Sequence, residues 1–146
     1  MAPVPISASM APPRDADSVE ELLVDKLGFL RPNIVKLVDA KATRTAILGA
    51  IKSVSDRVKP GDRVFIYFSG HGTSAFDPKA GSQVCTQVNS GCLIPFDVSS
   101  GTPAQVIDSL LIGSRDLRPI FTKIDESQPE SFFVVFDSCY SENAAK

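Results

Sequence analysis

Cys139 and His71 are the two side chains of this sequence whose chemistry stands out. Cys139 closes the run Ser131-Phe-Phe-Val-Val-Phe-Asp-Ser-Cys, in which five of the first six residues are apolar. Such a run predicts a strand buried on both faces. A thiol at its carboxyl end stands at the rim of an α/β sheet, where these folds gather their chemistry. Arg63-Val-Phe-Ile-Tyr-Phe-Ser-Gly-His-Gly72 has the same build and carries the single histidine of the chain. A free thiol is a modest nucleophile at neutral pH. A neighbouring imidazole can hold it as thiolate and later protonate a leaving amine. The oxyanion that develops needs two N–H donors, and the backbone amides of Gly72 and Cys139 are the natural pair. Facing strand ends would therefore form a cysteine–histidine dyad. On residue type and spacing alone the inert reading is the commoner one, because a buried cysteine is usually a small hydrophobe and a lone histidine usually structural.

The elements that must position these residues can be read in order. Residues 1–14 hold four prolines, Pro3, Pro5, Pro12 and Pro13, and predict a loop-like segment with at most a short strand near Val4–Ser9. From Asp15, Val19, Leu22, Leu23 and Leu27 fall at helical spacing, with acidic residues in the first turn and Gly28 as the stop. A strand is expected over 33–38, then a helix from a Thr43 cap to about Val58, with Ala46, Ile47, Ala50, Ile51 and Val54 as its apolar stripe. Pro60-Gly61-Asp62 turns the chain into the His71 strand. Residues 73–91 predict a loop or exposed hairpin, and Gly91–Asp97 a small strand returning to the sheet edge. Residues 98–103 predict another loop, followed by a helix within Ser114–Ile124 that starts nearer Leu117 because of Pro119. Helices alternating with strands at short spacing predict a mostly parallel sheet covered by helices on both faces.

Composition narrows the function. The chain has 146 residues, 43% of them hydrophobic, enough for the core of one domain. A formal net charge of -2 without a basic run argues against nucleic acid as a partner. No apolar run approaches a membrane span, and the amino terminus lacks the basic start and hydrophobic block of a signal peptide, so a cytoplasmic, membrane-free protein is expected. Cys85, Cys92 and Cys139 lack metal-ligand spacing, which predicts no metal site. Cys85 and Cys92 could bridge a hairpin under oxidising conditions; two free thiols are the expectation preferred.

Phe68-Ser-Gly-His-Gly72 after one strand and Phe136-Asp-Ser-Cys-Tyr-Ser141 after a later one resemble the caspase-like cysteine peptidases of family C14, most of all their metacaspase-like members. Glu21–Phe29, Ala42–Leu48 and Gly91–Asp97 are similar to that family's first helix, second helix and DGYLIPxD segment, so the resemblance covers about residues 15–141. It implies a three-layer caspase/haemoglobinase fold and a catalytic large-subunit domain over 15–146. It implies His71 as general acid/base, Cys139 as nucleophile, and the Gly72 and Cys139 amides as oxyanion hole. Asp137, two before the nucleophile, is implied to bind an arginine or lysine of the substrate, and Asp15 to form a second wall of that pocket. Without the resemblance, Asp137 reads as a strand-end cap and Asp15 as a helix cap. The implied activity is a thiol endopeptidase cutting after Arg or Lys through a thioester acyl-enzyme, without a cofactor. Calcium activation occurs in some relatives, but no specific acidic motif supports it here.

Three departures qualify the resemblance. Tyr140 stands where many relatives carry histidine, and Glu142 replaces the glycine that usually follows DSCxS. The family's apolar first strand is expected to be absent unless Val4–Ser9 serves for it, and the chain stops soon after Cys139. A fold incomplete at both ends is therefore expected, lacking the small-subunit segment as a partner. The rival function is an inactive caspase-like scaffold or interaction module. A redox-sensing thiol protein fits less well, since a sensor needs neither His71 nor Gly72.

Overall fold

The computed structural model of the protein describes residues 4–9, 13–74 and 91–138. Among these residues, seven strands and four helices form two sheets with helices packed against the larger one. The larger sheet comprises β1 (Val4–Ser9), β2 (Val35–Leu37), β3 (Arg63–Ser69) and β7 (Ser131–Asp137). Its order is β2-β1-β3-β7, and all its pairings are parallel. The smaller sheet, β4 (Gly72–Ser74), β5 (Gly91–Leu93) and β6 (Leu111–Ile112), is antiparallel. The helices are α1 (Pro13–Asp25), α2 (Arg44–Arg57), α3 (Pro103–Ser109) and α4 (Arg118–Glu126). A parallel sheet under helices is the mixed α/β architecture expected from the sequence.

β1 lies between β2 and β3, pairing in register from Val4↔Val64 to Ser9↔Ser69. The proline-rich segment thus supplies a central strand, the alternative the sequence left open. Its Pro5 sits opposite Phe65 without ending the ladder.

Parity along β3 separates two layers. Val64, Ile66 and Phe68 face a core with Ile47, Ile51 and Val54 of α2 and Ile124 of α4, and Ile120, Phe121, Phe132, Val134 and Phe136 pack around it. The opposite parity carries Arg63, whose guanidinium lies 5.1 Å from the ring centre of Phe29, just past α1. Ala16 and Leu23 of α1 are fully buried outside the first core. Burying side chains of this kind contributes roughly 1.5–3 kcal/mol each, so the two layers rather than helix propensity hold α1, α2 and α4 in place.

The ends of the helices follow local chemistry. Thr43 caps α2 by accepting the Ala46 N–H at 3.2 Å. Gly28, at φ +71, reverses the chain after α1, and the Phe29 N–H then reaches the Leu23 carbonyl at 2.9 Å. Pro119 sits in the first turn of α4, behind a single π turn over Gly113–Leu117.

Three expectations are corrected. β7 is not buried on both faces: it is an edge strand of the larger sheet, with Phe133 61% and Val135 41% exposed. Gly91–Leu93 does not return to the edge of that sheet but pairs with β4 and β6 in the smaller one. Between the expected loop at 98–103 and α4 stand two unexpected elements, α3 and β6.

Candidate active site

Two adjacent parallel strands deliver the site. β3 and β7 run in register from Arg63↔Ser131 to Ser69↔Asp137, so their carboxyl ends lie side by side. Beyond that register the Gly70 N–H donates to the Asp137 carbonyl at 3.2 Å. His71 follows one residue later on β3's side, exposed to solvent. Ser138 continues β7, its Oγ buried and without a hydrogen-bond partner among the described residues. Cys139, Tyr140, Glu142 and Cys85 lie outside the described residues.

The smaller sheet fixes the backbone at His71. Gly72 stands opposite Leu93 and Thr73 opposite Cys92. The Ile94 N–H donates to the His71 carbonyl at 3.0 Å. The same segment then ties to α2: the Phe96 N–H meets the Ala42 carbonyl at 3.0 Å, and the Asp97 carboxylate accepts the Arg44 N–H at 2.7 Å. An anion there also suits the positive end of the helix dipole. Buried apolar neighbours, Leu93 and Pro95 among them, anchor this strap.

Asp137 is exposed at the end of β7, and its parity, that of Phe133 and Val135, places it on the sheet face that α1 covers. Asp15 is exposed in the first turn of α1, which begins four residues after β1 ends. Since Ser9, Ser69 and Asp137 share one register across β1, β3 and β7, the topology brings His71, Asp137 and the start of α1 to one edge of the sheet.

Residue type did not reveal Ile94 or Asp97, which act through a main-chain N–H and a helix end. The apolar run Cys92-Leu-Ile marked a strand, but nothing in it named the partner strand. Cys92, expected as a free thiol, is disulfide-bonded and 1% exposed. The expectation failed because spacing says nothing of how far two thiols lie apart in space. Among the described residues no cluster of histidine, cysteine and carboxylate side chains could hold a metal ion, and no helix is long and apolar enough to cross a membrane.

A parallel sheet with helices packed against it, and His71 just past the carboxyl end of one of its strands, fits a caspase-like α/β domain. The chain belongs to the metacaspase family, whose peptidase C14 domain matches residues 10–146. It is 28% identical over 132 residues to metacaspase-7 of Arabidopsis thaliana and 28% over 124 residues to metacaspase-6 of the same plant. It is 30% identical over 140 residues to metacaspase-1 of Candida albicans. These matches cover 87%, 82% and 89% of the chain, but only 29%, 30% and 29% of the relatives' own lengths. The chain thus spans less than a third of the curated proteins it matches.

Proposed function

We propose that this chain carries the catalytic dyad of a cysteine endopeptidase that cuts after arginine or lysine. The observation that supports it most is the register of β3 and β7, which sets His71 and the strand leading to Cys139 side by side at the carboxyl edge of the sheet. Family membership supports a peptidase acting on polypeptides.

In this reading the Cys139 sulfur, as thiolate beside the His71 imidazolium, adds to the carbonyl carbon of the scissile peptide. The amides of Gly72 and Cys139 take the oxyanion. The C–N bond breaks as His71 gives its proton to the leaving amine, which leaves a thioester. His71 then takes a proton from water, the hydroxide attacks the thioester carbonyl, and the thiolate departs. The Asp137 carboxylate meets the basic side chain before the cut, by two parallel hydrogen bonds in the case of arginine. Asp15, opening α1 on the same face of the sheet, adds a second negative charge. The family's small-subunit segment completes the pocket as a partner, and the reaction as drawn calls on no cofactor.

Fluorogenic peptides ending in Arg, Lys or Asp test the reading, with the chain supplied alone and joined to a family small-subunit segment. Cleavage after Arg and Lys but not Asp, abolished by Cys139→Ala, is expected. Cleavage that persists in Cys139→Ala overturns the mechanism, and cleavage after Asp overturns the specificity. If no peptide is cut and a thiol-directed active-site probe labels Cys139 equally with His71 or with His71→Ala, the dyad is overturned and an interaction module stands in its place.

A further inference from the structure

Between α2 and the π turn that leads into α4 lies a cleft of about 410 Å³. Arg44, Leu48, Gly49 and Lys52 line one side as a single stripe along the helix, and Asp116 and Ile120 stand opposite. Gly49 opens its floor. Glycine is disfavoured inside a helix, and a Cβ added here would meet nothing within 4 Å, so packing does not call for it. The missing side chain leaves room between Leu48 and Ile120. The cleft is also positive. Its lining carboxylate, Asp116, has a side chain only 8% exposed and is already committed. It accepts from Arg44 Nη2 at 2.7 Å, from Arg115 Nη2 at 2.9 Å and from the Ile112 N–H at 2.8 Å. Arg44, Arg115 and Lys52, three cations against this one carboxylate, leave two positive charges over. Donors are left over as well. Arg44 spends Nε on the Leu110 carbonyl and Nη2 on Asp116, and its Nη1 has no partner among the described residues. Lys52 makes no ion pair among them, and Asp56, one turn further on, is held by Lys123.

We propose that this cleft takes an extended acidic segment of a partner polypeptide. Arg44 and Lys52 stand about 12 Å apart along the helix axis, a spacing suited to two carboxylates rather than one small anion. An extended chain advances about 3.3 Å per residue, so acidic side chains at positions i and i+4 span that distance. The residue midway projects from the same face of such a chain and meets Gly49, with Leu48 and Ile120 as apolar walls. The guanidinium and the ammonium each give a carboxylate a charge-assisted hydrogen bond. The surface involves neither His71 nor Cys139, so it stands or falls apart from the proteolytic reading.

Nuclear magnetic resonance titration of the whole chain, read at the Gly49 and Ile120 amides, tests the surface. The probe is a capped pentapeptide with glutamate at both ends, leucine in the middle and serine between. Saturable shifts of both amides are expected, with binding about tenfold weaker when glutamine replaces both glutamates. Lys52→Glu, a change at an exposed side chain, is expected to weaken the glutamate peptide at least as much. Gly49→Leu fills the cleft with a better helix former, so it should bind no peptide while melting no lower than the native chain. Shifts at neither amide overturn the site, as does undiminished binding by Gly49→Leu. Equal binding of the glutamine peptide overturns the recognition of charge. Should Gly49→Leu melt lower, Lys52→Glu decides, and unchanged affinity there overturns the proposal. If inorganic phosphate at the same concentration moves both amides as far and displaces the peptide, the cleft is a small-anion site and the polypeptide partner is overturned.

Discussion

Asp137 does two separable jobs at the end of β7. Its carbonyl accepts the Gly70 N–H and so joins the two strand ends, whereas its carboxylate stands exposed on the α1 side of the sheet. Asp137→Asn keeps the size and the main-chain bond and removes only the charge. If the carboxylate meets a basic substrate side chain, a loss of roughly 1.5–3 kcal/mol is expected, about ten- to a hundredfold in kcat/KM for Arg and Lys reporters. Labelling of Cys139 by an uncharged alkylating agent should stay unchanged. Parallel loss of both would mean that Asp137 acts structurally, and loss of neither that it does not touch the substrate. Such a residue is legible in sequence because its side-chain type names the chemistry. Ile94 was not, since its part in the site is a main-chain N–H that any residue but proline supplies. Cys92 was misread for a related reason: whether two thiols meet is a matter of tertiary distance.

Elements were legible to the extent that burial repeats in sequence. α2 was readable from Thr43 to Val58 because its buried Ile47, Ile51 and Val54 recur at helical spacing. α3 has seven residues and none of them buried, so it writes no stripe; its only signal is the Thr102–Gln105 capping box with Pro103 behind the cap. β3 and β7 show the limit most clearly. Both are unbroken apolar runs, yet β3 is interior and β7 is an edge, and sheet order is not written in either run. The joint between α1 and β2 is polar instead. Lys36 Nζ reaches Asp17 at 2.6 Å and also Glu20, which Arg31 holds at 2.8 Å. The Lys36 hydrogen bond, against some burial and with help from Arg31, lowers Glu20 below its ordinary value. The hydrogen bonds that Lys36 donates to Asp17 and then to Glu20 raise it above its own. Glu20's contribution to stability is thus complete above the ordinary carboxylate range and is lost as pH falls through the lowered folded value. Lys36's is complete below the ordinary lysine value and is lost as pH rises through the raised one. Both side chains keep some solvent access, so Lys36→Met should cost no more than about 1 kcal/mol at pH 7. In urea unfolding at pH 7 and pH 3, the variant should show a smaller loss between the two conditions than the native chain. An identical loss in both would show that the joint contributes nothing.

At the scale of the molecule the larger sheet is covered unevenly. α2 and α4 close one face across β3 and β7, and Phe121 meets Phe132 edge to face at 5.7 Å there. On the other face α1 covers the β1 side, while Phe133 and Val135 of β7 stand open next to Phe65 and Tyr67. β7 carries neither lysine nor proline, the residues that commonly blunt an exposed edge, and no strand among the described residues pairs along its outer side. An open apolar face beside an unblunted edge favours association between copies. Sedimentation of the chain on its own should therefore show its average mass rising with concentration. Phe133→Lys places a charge where the side chain is already solvated, so its effect on folding should stay within about 0.5 kcal/mol, and it should hold the chain monomeric at concentrations where the native chain associates. Thr122→Lys, on the exposed outer side of α4, serves as the control for added charge alone. If the two variants suppress association equally, net charge and not the β7 face governs it. If neither does, the contact lies elsewhere on the surface.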